Sequence, residues 1–314
     1  MSVLNKNNYG YISPSDFNLF AKQAQLDLFD KYFYSYNYQI LKENARQSGT
    51  EYADITKGIE EVIDTFSIQR PLLQSSLNSY FLPSLTTTSD DYYLINKNLV
   101  YGKVLVDNST NTTVDVLGSL LEDTAQTFIS SGISIGDIVS TVTGGITYNV
   151  TVLSIASETQ LTVSLPTGVV LFDVISKPYY IYSSTELKEA EKVTHSKITM
   201  LNNSLLTKPN LTYPAYTQNG NLAEIHPSTV NGIGQLVSQY IRFPYIPKWT
   251  YVELVSGEPS FNASDADYQD FELPNDDEVN LINKILQYAG MSIREIEVVN
   301  FAKASEQSSE QEEK

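Results

Sequence analysis

The chain has no cysteine, two histidines and one tryptophan among its 314 residues. The missing cysteine excludes disulfide frameworks, thiolate zinc sites and cysteine nucleophiles together. The histidines, His195 and His226, stand apart, and neither has metal-ligand spacing around it. No Gly-x-Ser-x-Gly elbow supplies a nucleophile. Gly232-Ile233-Gly234 lacks a third glycine and a preceding parallel strand, and no Walker sequence occurs, so no nucleotide site is expected. Asp265, Asp267 and Asp270 have the wrong spacing for a helix-loop-helix calcium site and no turn glycine, so they read as a solvated acidic loop. Paired carboxylates for glycoside hydrolysis can come from distant positions, but no concentrated set of aromatic and acidic residues marks such a cleft. We therefore expect no catalytic, cofactor or metal site, and a protein that is not an enzyme.

Long apolar runs are also missing. No stretch approaches the length needed to cross a bilayer, and the N-terminal residues hold no signal-like apolar segment. The expectation is a protein made in the cytoplasm, without a membrane anchor. Six Asn-x-Ser/Thr triplets, at Asn108, Asn111, Asn149, Asn202, Asn210 and Asn262, then read as accidents of an Asn- and Thr-rich composition. Basic residues are scarce, 20 against 37 acids, for a net charge of −17. Such a chain repels a phosphate backbone, which excludes an ordinary nucleic-acid binder. From Glu253 onward, fifteen acids face only Lys284, Arg294, Lys303 and Lys314.

What is abundant is tyrosine, 22 residues, with 12 phenylalanines. Up to about Asn98 the pattern is helical. Ser13-Pro14 is a helix start, and Phe17, Phe20, Ala21, Ala24, Leu28 and Tyr32 recur on one face of a helix running towards Arg46, ended by Ser48-Gly49. A second helix is expected over about Ala53–Phe66, and a strand at Tyr92–Ile95. From Leu99 to Tyr182 charges thin out and short Val/Ile/Thr runs alternate between turn signals such as Gly144-Gly145, which argues a small barrel or sandwich. Tyr92-Tyr93 and Tyr179–Tyr182 flank this block and are expected to pair across its base. A helix capped by Ser184-Thr185-Glu186 is expected to run to about Leu205. Asn219-Gly220 predicts a hairpin, Gln239–Phe243 and Trp249–Val252 predict strands, and Pro274–Glu278 opens a helix. That helix has Val279, Ile282, Ile285, Leu286 and Ala289 as its apolar face and Gly290 as its end, and a last helical turn or two follows over about Arg294–Ala304. The expected fold is α+β: a long-helix body with short antiparallel strands, carrying an inserted small β-barrel or β-sandwich. Its domains are 1–98, the N-terminal helical part of the body; 99–182, the inserted β domain; 183–304, the C-terminal α+β part; and 305–314, an acidic mobile tail.

Tyr32, Tyr34, Tyr36 and Tyr38 alternate at the end of the first helix, and at two-residue steps they cannot all face one core. Some must meet another element of the same chain or another chain. With Trp249 and Tyr251 they are the candidate subunit-interface residues, because such side chains bring contact area at low entropy cost.

The segment SPSDFNLFAKQAQLDLFDKYFYSYN with the following NARQSG resembles the N-terminal helix of neck and tail-barrel ring proteins of crAss-like and related tailed bacteriophages. YIRFPYIPKWTY and FELPNDDEVNLINKILQYAGMSIRE resemble later parts of the same proteins. The resemblance covers both ends of the chain and skips the 99–182 block. It implies a virion structural protein, a head-to-tail connector subunit that assembles with itself into a ring of about twelve copies by heterologous packing. Its partners would be the portal and adjacent ring proteins, and DNA would pass the lumen during ejection without specific binding. An acidic lumen would give that DNA few adhesive contacts. The alternative is a host-attachment or glycan-binding tail module that uses 99–182 as its recognition domain. A third reading, an enzyme acting on cell wall or capsule, needs two converging carboxylates in a cleft.

Overall fold

The computed structural model describes residues 12–46, 55–108, 114–117, 119–165, 178–255, 259–292, 300 and 302–304. The expected helix end at Ser48-Gly49, the tail 305–314 and most of the last helical turns lie outside them, although residues 302–304 are helical.

In chain order, helices α1 (Pro14–Arg46) and α2 (Ile55–Asp64) come first. Then follow β1 (Ser67–Pro71), β2 (Gln74–Ser76), β3 (Ser79–Phe81), β4 (Tyr92–Tyr101), β5 (Val104–Asn108), β6 (Val114–Leu117), β7 (Leu120–Asp123), β8 (Ile138–Thr143), β9 (Ile146–Ile155), β10 (Gln160–Val163), β11 (Tyr179–Tyr182) and β12 (Leu187–Lys192). Helix α3 (His195–Asn202) precedes β13 (Ala215–Asn219), β14 (Leu222–His226) and β15 (Leu236–Arg242). The chain continues through β16 (Tyr251–Glu253), β17 (Pro259–Phe261), a 3-10 turn (Asn275–Asp277) and α4 (Glu278–Ser292). Two compact units result: Met1–Phe66 with Pro244–Lys314, and Ser67–Phe243.

The expected α+β class is corrected. The fold is mostly β, 35% strand against 26% helix, with two large curled sheets and one long helix in place of a long-helix body carrying an insertion. One sheet has eight strands in the order β1-β15-β4-β12-β13-β14-β3-β2, and the other seven in the order β5-β11-β8-β9-β10-β7-β6. The clearest cause of the difference is Leu187–Lys192. Its charged pattern reads as helix, yet Leu187–Ala190 pair antiparallel with Tyr101–Asn98 and Glu191-Lys192 pair parallel with Ala215-Tyr216. Ladder partners on both sides outweigh a weak local helix preference. The helix begins only at His195, where the Thr194 side chain caps the Lys197 N–H.

The two tyrosine segments do not pair with each other. Tyr179–Tyr182 pair with β5 and β8, and Tyr92 stands opposite Arg242. They are central because β11 is fully buried, and its side chains divide between two layers. Tyr179 and Ile181 enter the apolar core of the seven-stranded sheet with Phe128, Val150 and Leu161. Tyr180 and Tyr182 face the eight-stranded sheet, where Tyr182 stacks between Tyr101 and Tyr180 at 5.4 and 6.0 Å. The Gly232–Gly234 turn is gripped by this layer. Tyr80 Oη donates to Gly232 O at 2.9 Å, Tyr182 Oη to Ile233 O at 2.7 Å, and Asn149 Nδ2 to Gly234 O at 3.3 Å. The glycines are there for space: a Cβ at Gly232 would lie 2.2 Å from Tyr182 Oη. The seven-stranded sheet also buries a carboxylate, Asp123, which accepts from Asn108 Nδ2, Tyr179 Oη and the Ala125 N–H.

In the other unit α1 starts as expected. Ser13 Oγ caps the Asp16 N–H at 3.1 Å, with Pro14 in the first turn. Ala21, Ala24 and Leu28 pack on Leu281 and Ile285 of α4, and burial stabilises by roughly 1.5–3 kcal/mol for each leucine or isoleucine fully covered. The small alanines let the two helices approach. Of the expected apolar face of α4, Ile285 and Ala289 are buried and Leu286 is half-buried; Val279 and Ile282 are exposed, and Leu281 takes their place in the core. Gly290 does not end the helix, which continues to Ser292.

Candidate functional site

The unit built from both chain ends carries the candidate interface residues, and α1 sorts its four tyrosines by helical phase. Tyr32 and Tyr36, one turn apart, are half-buried and bond within the chain: Tyr32 Oη donates to Asp277, and Tyr36 Oη to Glu60 Oε1 at 2.6 Å. Burial first, then the Asp277 hydrogen bond and charge, push the Tyr32 phenol above its ordinary pKa. Tyr34 and Tyr38 point outward, 77% and 61% exposed. Leu41 continues their stripe at 68%, so the spacing i, i+4, i+7 makes one apolar ridge.

Trp249 and Tyr251 belong to an aromatic cluster around the β16–β17 hairpin. Tyr251 and Phe261 are directly paired across the two strands. Trp249 stacks nearly parallel to both, at 5.6 and 6.3 Å, and Phe17 of α1 meets it edge-on at 6.2 Å. Tyr268 packs edge-on against Phe261 at 5.5 Å. Two amides of α1 hold this strand segment in place. Asn18 Oδ1 accepts from the Trp249 N–H at 2.8 Å while its Nδ2 donates to Trp249 O at 3.2 Å. Seven residues on, on the same face, buried Gln25 donates to Tyr245 O at 2.8 Å and accepts from the Glu272 N–H at 3.3 Å. Sequence reasoning missed both amides. The available signal was a polar residue at Asn18 and Gln25 inside an otherwise apolar helical face.

These elements line an open cavity of about 270 Å³ whose walls include Phe17, Ala21, Trp249, Phe261, Tyr268 and Phe271. Its polar lining has partners within the chain. Lys248 Nζ pairs with Asp267, and that hydrogen bond and charge hold the Asp267 carboxyl below its usual range. Asp270 Oδ1 accepts the Phe271 N–H, and Gln269 Nε2 donates to Asp270 O. Desolvation, with the Asp270 charge and hydrogen bond, raises the Tyr268 phenol. The arrangement offers chiefly apolar and aromatic contact, with Lys248, Gln269 and Asp270 in its polar lining.

The two histidines lie in the other unit. His195 Nε2 is 3.1 Å from Gln218 O, and His226 Nε2 is 3.9 Å from Glu224 Oε1. Burial lowers the His226 pKa, against the opposing charge of Glu224. Among the described residues no three His, Cys, Asp or Glu side chains gather in a way that would hold a metal ion. Among the same residues no helix is long and apolar enough to cross a membrane.

No protein-family model matches the chain, and no curated protein matches it.

Proposed function

We propose that this chain is a non-enzymatic building block of a tailed-phage virion, a subunit of a neck or tail-barrel ring on the path of DNA ejection. The reading joins the resemblance of both chain ends to one observation, the apolar surface that the helical unit leaves uncovered. Tyr34, Tyr38 and Leu41 form a ridge on α1, Val279 and Ile282 stand out from α4, and Tyr251, Val252 and Leu254 are bare on and beside the hairpin. Single exposed apolar residues are ordinary, but contiguous ones mark interaction surfaces. Surfaces on several different elements suit a subunit that packs one face on a different face of the next copy, until the rotation closes. Helix α1, 33 residues and so about 50 Å long, is a stave of useful length for such a ring.

Negative-stain imaging and mass photometry of the full-length protein test this. The expected result is closed rings of about twelve copies, in keeping with the heterologous packing such rings use. Tyr34→Ser with Tyr38→Ser should shift the distribution to smaller species while the circular dichroism and melting of the subunit stay unchanged. A protein that stays monomeric at every concentration and does not co-purify with portal overturns the proposal.

A further inference from the structure

Leu205 and Leu206 are 100% and 98% exposed, the barest pair of neighbouring apolar side chains among the described residues. They are not on loose chain. The turn after α3 is held by the Ser204 N–H to Leu201 O at 3.2 Å and the Lys208 N–H to Ser204 O at 3.0 Å, so both side chains are displayed from a hydrogen-bonded knob. The aromatic cavity of the helical unit is the complementary feature. Its walls are mostly aromatic and apolar, so an aliphatic side chain that enters it gains apolar contact. Charge agrees with shape. Lys208 follows the two leucines, and the loop beside the cavity carries Asp265, Asp267 and Asp270 against the single base Lys248. In a chain of 20 bases and 37 acids, a lysine beside the knob and an acidic rim at the hole favour this docking over like-charge alternatives.

We propose that the Leu205-Leu206 knob of one copy inserts into the cavity walled by Phe17, Trp249, Phe261 and Phe271 of a second copy. The inference rests on the ring reading and names one of its contacts. It is heterologous, so each copy gives a knob and receives one. The nearly complete exposure of both leucines shows that neither is seated in the core of its own unit.

The absence of native cysteine makes the test clean, because each single-cysteine variant carries one thiol. Full-length Leu206→Cys and Phe261→Cys proteins, tagged to differ in size, are mixed in equal amounts and oxidised with diamide. A disulfide-linked heterodimer is expected, and Leu153→Cys, exposed on the seven-stranded sheet, should give none with Phe261→Cys. Leu205→Asp and Leu206→Asp should each weaken self-association about tenfold or more without altering the fold. Rings seen by negative stain with no Leu206–Phe261 crosslink overturn this contact and leave the ring reading standing. A crosslink in open filaments or dimers supports the contact and overturns the closed ring. Monomers without a crosslink overturn both.

Discussion

Gly234→Ala tests the joint between the two sheets most directly. Gly234 has φ +63°, and a Cβ there would lie 1.9 Å from Ser140 Oγ, 2.6 Å from Asn149 Oδ1 and 3.0 Å from Ser140 Cβ. The left-handed backbone alone costs an L residue about 1–2 kcal/mol. Moving the turn to relieve the overlap stretches the hydrogen bond from Asn149 Nδ2 to Gly234 O, about 0.5–1.5 kcal/mol, and strains the neighbouring bond from Tyr182 to Ile233 O. The sum is about 3 kcal/mol, which should lower the urea midpoint of the Ser67–Phe243 unit by ~1 M or more at unchanged slope. A double-mutant cycle isolates the cause. Ser140 Oγ is buried without a hydrogen-bond partner, so Ser140→Ala alone should cost little. Combined with Gly234→Ala it removes the shortest overlap and should return at least ~1 kcal/mol, leaving the backbone cost and the overlap with Asn149 Oδ1. A Gly234→Ala protein as stable as the parent, or strictly additive effects in the cycle, would refute the argument.

Asn18→Ala removes both hydrogen bonds that fix the Trp249 backbone and should destabilise the helical unit by about 1–3 kcal/mol. Trp249 is the lone tryptophan, so its emission should shift to the red, and an unshifted spectrum would contradict the clamp. Asp123→Ala strands the Tyr179 hydroxyl and the Asn108 amide in a core and should cost about 3 kcal/mol in chemical denaturation, with Asp123→Asn costing less. The alkaline limb follows from the buried phenols. Burial raises the pKa of Tyr80, Tyr179 and Tyr182 above the ordinary value, with Asp123 adding to it at Tyr179. Because the folded values are raised, this stabilisation is fully present below the unfolded pKa of about 10 and declines as pH rises above it. Tyrosinate absorbance from these residues should therefore appear together with loss of near-ultraviolet circular dichroism, and gradual ionisation of a still-folded protein would argue against it.

Features set by a few neighbouring residues were legible. Ser13-Pro14 starts α1, the Asn219-Gly220 turn joins β13 and β14 with Gly220 at φ +56°, and Pro274 leads through a 3-10 turn into α4. The candidate site was legible only in part. The alternation of Tyr32 to Tyr38 showed that some must leave the core, but which two depended on where Glu60 and Asp277 came to rest. The cavity was invisible, because its walls come from residues 17–21, 247–249, 261 and 268–271.

Composition and local pattern by themselves determined the first long helix, the β character of 99–182 and the lack of cysteine chemistry, since each depends on residues close in sequence or on counts. Tertiary structure alone decided that Leu187–Lys192 is a strand, that β11 is buried on both faces and that Gly232–Gly234 is a clamped turn. In each case the deciding partner lies far along the chain: Asn98–Tyr101 for the strand, Val104–Asn108 and Ile138–Thr141 for β11, and Tyr80, Asn149 and Tyr182 for the turn. A ladder hydrogen bond or a filled space depends on what arrives opposite, and no window along the sequence contains both sides.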